Sequence, residues 1–196
     1  MPTRPRLTPK EVAAFADVPV NVVEKAIEDH LLPVHREATI SNRPRRLLDP
    51  WSVAYVAVTG HLKGRLTAAE KRAFSRRLRK ARPEDIERGH WEIVPALTVD
   101  IGRLVGDRMS RASRYCSARD RYITVDEDIK GGTPVIRGTR MTVYSVLGRI
   151  ERGDTVDDLA AENPDIPREA FEAAVLYARA NPLVGRPGGR PWERRK

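Results

Sequence analysis

A chain of 196 residues, 40% hydrophobic, is long enough for one large domain or for two to three small ones with real cores. Its single cysteine, Cys116, excludes an intramolecular disulfide, and its longest apolar stretch, Trp51 to Val58, is far short of the ~20 residues of a membrane span, so a soluble cytoplasmic protein is expected. The net charge of +9 is unevenly placed: residues 60–121 hold 16 Lys/Arg against 8 Asp/Glu, residues 122–185 hold 7 against 11, and residues 186–196 hold 5 against 1, which puts any grip on phosphate in the middle and the tail.

After a short basic leader (no signal peptide, since no apolar run follows its arginines), Thr8-Pro9-Lys10-Glu11 reads as a capping box that opens a short helix burying Val12, Phe15 and Ala16. Asp17-Val18-Pro19 is a turn. A second helix follows, with Val22, Val23, Ala26 and Ile27 inward and Asn21, Glu24, Lys25 and Glu28 outward, stopping before Leu31-Leu32-Pro33. Val34 to Ile40 and Arg45 to Leu48 are short extended runs around the turn residues Ser41 to Pro44, which predicts a hairpin. Helix, turn, helix and hairpin in that order resemble the winged helix-turn-helix domain of MerR-like and excisionase-like proteins. That resemblance implies that Asn21 and Lys25 on the second helix read DNA base edges while Arg36, Arg43, Arg45 and Arg46 on the hairpin reach the backbone or minor groove.

Asp49 is expected to cap a helix with Trp51, Ala54, Tyr55 and Val58 on one apolar face. Thr67 and Glu70 form a second capping box, opening a helix with Lys71, Arg72, Arg76, Arg77, Arg79 and Lys80 around Ala73, Phe74 and Leu78. Such a helix is either a solvated basic face or a contact for the phosphate backbone. Trp91 to Leu97 reads as one strand bent by Pro95, and Asp100 to Ser117 as one long helix with Ile101, Leu104, Val105 and Met109 inward. Tyr122 to Val125 reads as a further strand, able to share a sheet with the first.

Gly131-Gly132-Thr133-Pro134-Val135-Ile136-Arg137-Gly138-Thr139-Arg140 has too many glycines for a helix or a core strand and reads as an ordered connector. Beyond it, Thr142 opens a helix to about Arg152, Asp154-Thr155 a shorter one, and Pro167 a third with Phe171, Ala174, Val175 and Ala178 inward. This order of strand, glycine-rich string and three helices, from Tyr122 to Asn181, resembles the domain-of-unknown-function 433 family. The resemblance implies the antitoxin side of a bacterial VapBC module, whose toxin is a PIN-domain ribonuclease. The basic tail cannot fold alone. On this resemblance Arg186, Arg190, Trp192, Arg194 and Arg195 bind the toxin, with arginines set against its metal-binding carboxylates.

The expected organisation is mainly α with small β elements, an α+β chain. It comprises a winged helix-turn-helix domain (1–66), a basic helical and strand connector (67–121), a tri-helical domain (122–181) and a basic tail (182–196). His30, His35, His61 and His90 lack metal-site spacing, and Ser, Cys and His show no triad pattern, so neither a catalytic residue, a metal nor a cofactor is expected. The expected function is an antitoxin that binds operator DNA, as a homodimer, and silences a PIN-domain ribonuclease. A stand-alone transcriptional regulator is the alternative.

Overall fold

The structure, a computed structural model, describes residues 5–37, 44–95 and 97–183. The expected DNA contact Arg43 and the expected toxin contacts Arg186, Arg190, Trp192, Arg194 and Arg195 lie outside these residues. The chain is α+β, with its helices joined by two-stranded antiparallel ladders. It divides into two compact units, Met1–Cys116 and Ser117–Lys196.

In the first unit, α1 (Pro9–Ala16) starts at the predicted capping box: Glu11 N donates to Thr8 Oγ1, and Thr8 N donates to Glu11 Oε2 at 2.7 Å. Glu11 is fully buried, an unexpected place for an acidic side chain, and its second oxygen lies 2.6 Å from Tyr115 Oη, so both of its oxygens are hydrogen-bonded. Asp17 ends α1 in the left-handed region, φ 57°, and the chain turns into α2 (Val20–Glu28), which buries Val23 and Ala26. The ladder of β1 (His35–Glu37) and β2 (Arg45–Leu47) follows, with His35 opposite Leu47, Arg36 opposite Arg46 and Glu37 opposite Arg45.

The helix α3 (Trp51–His61) is the centre of this unit. It was expected to show one apolar face; instead every residue from Trp51 to Val58 is buried, because α1 and α2 pack on it and so do the later helices α4 (Ala68–Lys80) and α6 (Ile101–Val105). Much of the stretch expected as a connector thus belongs to the first unit. The second predicted capping box, Thr67 with Glu70, opens α4, which buries Phe74, Ser75 and Leu78 and leaves Ala73 exposed.

Three local expectations between residues 83 and 136 are corrected. A short helix α5 (Pro83–Glu87) precedes not one bent strand but a hairpin, β3 (His90–Val94) and β4 (Leu97–Asp100), with Pro95 in the connection. The long helix breaks at Gly106, φ 56°, into α6 and α7 (Arg108–Tyr122). Glu87 then serves the restarted helix, accepting from Ser110 N and Ser110 Oγ, both at 2.6 Å. Finally, β5 (Ile123–Thr124) does not join β3: it pairs with β6 (Val135–Ile136), inside the string read as a mere connector.

The second unit holds the β5–β6 ladder, α8 (Val143–Ile150), α9 (Val156–Glu162) and α10 (Arg168–Ala180). Its core gathers Ile123, Ile136, Val143, Val146, Leu159 and Phe171, and the four predicted α10 positions Phe171, Ala174, Val175 and Ala178 are all buried. Burying a side chain the size of Phe171 contributes roughly 1.5–3 kcal/mol.

Candidate nucleic-acid interface

The side chains able to meet nucleic acid in the first unit are set by α2 and the β1–β2 ladder. Asn21 and Lys25 are both exposed on α2, one turn apart. Lys25 is not a free cation: its Nζ lies 3.0 Å from Asp29 Oδ1 and 3.8 Å from Glu28 Oε2. The hydrogen bond to Asp29, then the charge of that carboxylate, holds its pKa above the ordinary lysine value.

On the ladder, side chains alternate between faces, so Arg36 and Arg46 share one face and Arg45 shares the other with Glu37. Two guanidiniums opposite each other repel. Arg46 is relieved by Glu24 of α2, in a paired contact with Nη1–Oε2 at 2.8 Å and Nη2–Oε1 at 2.7 Å. This pair ties the ladder to the helix expected to read DNA, and it makes Arg46 a positioning residue. Arg36 is exposed and Arg45 half-buried, and neither has a carboxylate partner among the described residues. His35 Nε2 lies 3.2 Å from Asp49 Oδ2, fixing the start of the ladder beside the entry to α3.

A groove of about 310 Å³ lies between α2, α3 and α4, lined by Asn21, Lys25, Asp29, Tyr55, Thr59 and Lys71 among others. Its Tyr55 hydroxyl is buried, without a hydrogen-bond partner among the described residues. Burial first, and the nearby Asp29 charge second, raise the pKa of this phenol, which stays neutral. The groove brings the outer face of α2 beside the start of the basic helix. Both elements are legible in the sequence, but their adjacency joins residues too far apart along the chain for a local pattern to show it.

The rest of α4 is anchored from behind. Ser75 Oγ donates to Leu31 O, just after α2. Phe74 stacks near Tyr55 at 5.8 Å and meets Trp91 edge-on at 6.4 Å. Arg77 lies 4.8 Å over the Trp91 ring and donates to Glu92 O. Trp91 lies 11 residues past the end of α4, so no local pattern in the sequence marks this contact.

In the second unit the glycine-rich string has a local structural explanation. Gly131, Gly132 and Gly138 take φ of 61°, 74° and 77°, which a β-carbon would disfavour. Arg137 caps the end of α7, donating from Nε to Arg121 O at 2.9 Å and from Nη2 to Asp120 O at 3.3 Å. Thr139 Oγ1 donates to Ile136 O, and Met141 N donates to Thr139 Oγ1, which closes the tight return into α8.

Farther along, Arg149 links three elements: it donates to Asp154 Oδ2 at 2.5 Å and makes a two-pronged pair with Glu162 of α9. These hydrogen bonds, that to Glu162 first, keep Arg149 firmly cationic and hold the Glu162 carboxyl below its ordinary pKa. Thr155 and Asp158 form a further capping box, and the hydrogen bond from the Thr155 hydroxyl is the main cause of the lowered Asp158 pKa. Arg168 pairs with Asp157 at 2.7 Å and with Glu172.

No described helix is long and apolar enough to cross a membrane. Among the described residues no cluster of three or more His, Cys, Asp or Glu side chains could hold a metal ion.

Residues 123–178 match the family model described as "Protein of unknown function (DUF433)". Over 188 residues the chain is 31% identical to the "Uncharacterized protein y4eO" of Sinorhizobium fredii, covering 92% of this chain and 83% of that protein. No solved structure matches. The chain therefore belongs to one family with the Sinorhizobium fredii protein and carries, at residues 123–178, a DUF433 domain.

Proposed function

We propose that this protein is a cytoplasmic, non-enzymatic antitoxin that binds operator DNA through its first unit and silences a PIN-domain ribonuclease through its C-terminal part. The observation that carries the DNA-binding half is the succession of α1, turn, α2 and β1–β2 ladder, with the outer face of α2 exposed and the ladder pinned to it by Arg46 and Glu24. This is the order of elements in a winged helix-turn-helix, where the second helix enters the major groove and the hairpin meets the adjacent backbone. Asn21 offers the amide that suits adenine, and Lys25, Arg36 and Arg45 offer cations. A homodimer fits the reading, because paired half-sites multiply modest single-site affinities.

The toxin-binding half rests on the DUF433 match and on the composition of residues 186–196, in which five cations and Trp192 accompany one acid. Arginines of that segment would pair with the carboxylates that hold a PIN nuclease's metal ions, and Trp192 would supply an apolar anchor. The experiment has two arms. A duplex from upstream of the gene is titrated with the full chain, and RNA cleavage by the co-encoded nuclease is followed with full-length protein and with a chain ending at Val184. Operator binding by both forms, with silencing by the full chain alone, is the expected result. Operator binding without any effect on a nuclease would leave the stand-alone regulator. Absence of both would overturn the reading.

A further inference from the structure

The stripe Arg72, Arg76, Arg79 and Lys80 on α4 is the densest uncompensated charge in the first unit. We infer that it is a second contact with duplex DNA, gripping the phosphate backbone beside the segment read by α2. The inference rests on the DNA-binding role of α2 and extends it to a helix that the winged-helix comparison does not include.

The four residues are all exposed, and none has a carboxylate partner among the described residues. Spacings of four, three and one residues put them within about 100° of one another around the helix, away from the buried Phe74 and Leu78. Arginines at i and i+4 repel one another, so a stripe of this kind weakens its own helix unless an anion answers it. The single acid of α4, Glu70, does not: it is committed to Thr67, accepting from Thr67 N at 2.6 Å and from Thr67 Oγ1 at 2.8 Å. Some exposed arginines elsewhere are paired, as Arg46 is with Glu24 and Arg168 with Asp157.

Length supports the same occupant, while Lys71, the residue before the stripe and about 100° around α4 from Arg72, lines one groove with Asn21 and Lys25 of α2. At 1.5 Å of rise per residue the stripe runs about 12 Å from Arg72 to Lys80, enough to follow roughly three phosphates of one strand at about 3.4 Å of helix axis each. Arg77 points away from the stripe and is occupied by Trp91, which leaves the DNA-facing set at four cations. Phosphates of a flanking segment carry no sequence information, so this contact would add affinity without selectivity.

The test uses the full chain and the triple variant Arg72→Gln, Arg76→Gln, Arg79→Gln, with a triple Arg→Lys variant as the charge-preserving partner. Fluorescence anisotropy gives the dissociation constant from about 50 to 300 mM salt on the operator duplex and on a random duplex of equal length. The Gln variant is expected to lower the slope of log K against log salt by about 2.7 on both duplexes, close to 0.9 per lost phosphate contact. The ratio of operator to random affinity should stay the same, and the Lys variant should keep the wild-type slope. A Gln variant with an unchanged slope on both duplexes, or one that changes only the ratio, overturns the inference, as does failure of the wild type to bind either duplex. If the wild type binds both duplexes equally, the operator-reading role of α2 fails, while a shared loss of slope still supports the α4 contact.

Discussion

The two units differ in how much of their arginine charge is compensated. Across residues 122–185 of the second, 11 acids face 7 cations, and Arg149 and Arg168 are paired with Asp154, Glu162, Asp157 and Glu172, so that charge joins α8 to α9 and α9 to α10. In the first, Arg36, Arg45, Arg72, Arg76 and Arg79 stand without such partners among the described residues. A helix-turn-helix-like order of elements occurs in both halves, yet in the second the exposed arginines without a carboxylate partner among the described residues, such as Arg140, Arg152 and Arg179, are scattered along an acidic stretch, whereas in the first they cluster on α4. On the proposed DNA-binding reading, charge compensation rather than topology favours the first unit as the one that grips nucleic acid.

The strongest way to break this contrast is to collapse one side of it. Phe171→Ala should cost about 3–5 kcal/mol in the second unit, because Phe171 is fully buried at the centre of its core. Hydrogen exchange resolved by peptide should then rise across residues 143–180 and stay unchanged across residues 9–61. The salt slope of DNA binding should also stay unchanged, and a fall in that slope would mean that the second unit carries phosphate contacts.

The converse substitution is Gly89→Ala. A β-carbon there would come within 2.3 Å of Trp91 Nε1 and 2.5 Å of Asp85 O, so the Trp91 ring that supports Arg77 and Phe74 must shift. Overpacking of this kind costs about 1–3 kcal/mol, and denaturant unfolding with exchange in α4 and β3 would register it. Protection in α10 should not change.

How legible this contrast was depends on distance along the chain. The capping boxes at Thr8 and Thr67, and the inward positions of α10, were visible because a cap spans three residues and a helix face repeats within seven. The break at Gly106 was hidden because Ile101, Leu104, Val105 and Met109 keep a helical period straight through it. The turn at Pro95 was mistaken for a bend, since the residues on both sides are equally apolar. Arg46 with Glu24 joins residues 22 apart, and Lys71 reaches the groove of Lys25 across two helices; no local pattern records either.

Smaller effects sharpen the picture. Arg36→Gln with Arg45→Gln should weaken operator binding roughly tenfold and lower the salt slope by about 1.8, read in the same anisotropy titration. Arg46→Ala removes an exposed pair of the sort that contributes about 0.2–1 kcal/mol. It should leave overall stability nearly unchanged while loosening the ladder, seen as faster exchange at residues 45–47.

Smallest at neutral pH is the response of the second unit to acid. Glu162 and Asp158 have folded-state pKa values below their ordinary ones, so their stabilisation is complete above those ordinary values and is lost as pH falls through the lowered ones. Exchange in α9 should stay flat from pH 7 to about 5 once the intrinsic rate is corrected, then rise below about pH 4.5. Arg149→Ala should remove the Glu162 part of that acid sensitivity.

On the proposed reading DNA is held by the first unit and not by the second. The most direct measurement is the salt slope of duplex binding by the full chain in two charge-matched triple variants. One neutralises Arg36, Arg72 and Arg76; the other neutralises Arg140, Arg152 and Arg179, exposed arginines of the second unit without a carboxylate partner among the described residues. The first variant should lose about 2.7 from the slope and the second should lose nothing. Equal losses, or a loss confined to the second variant, would contradict the division of labour between the two units.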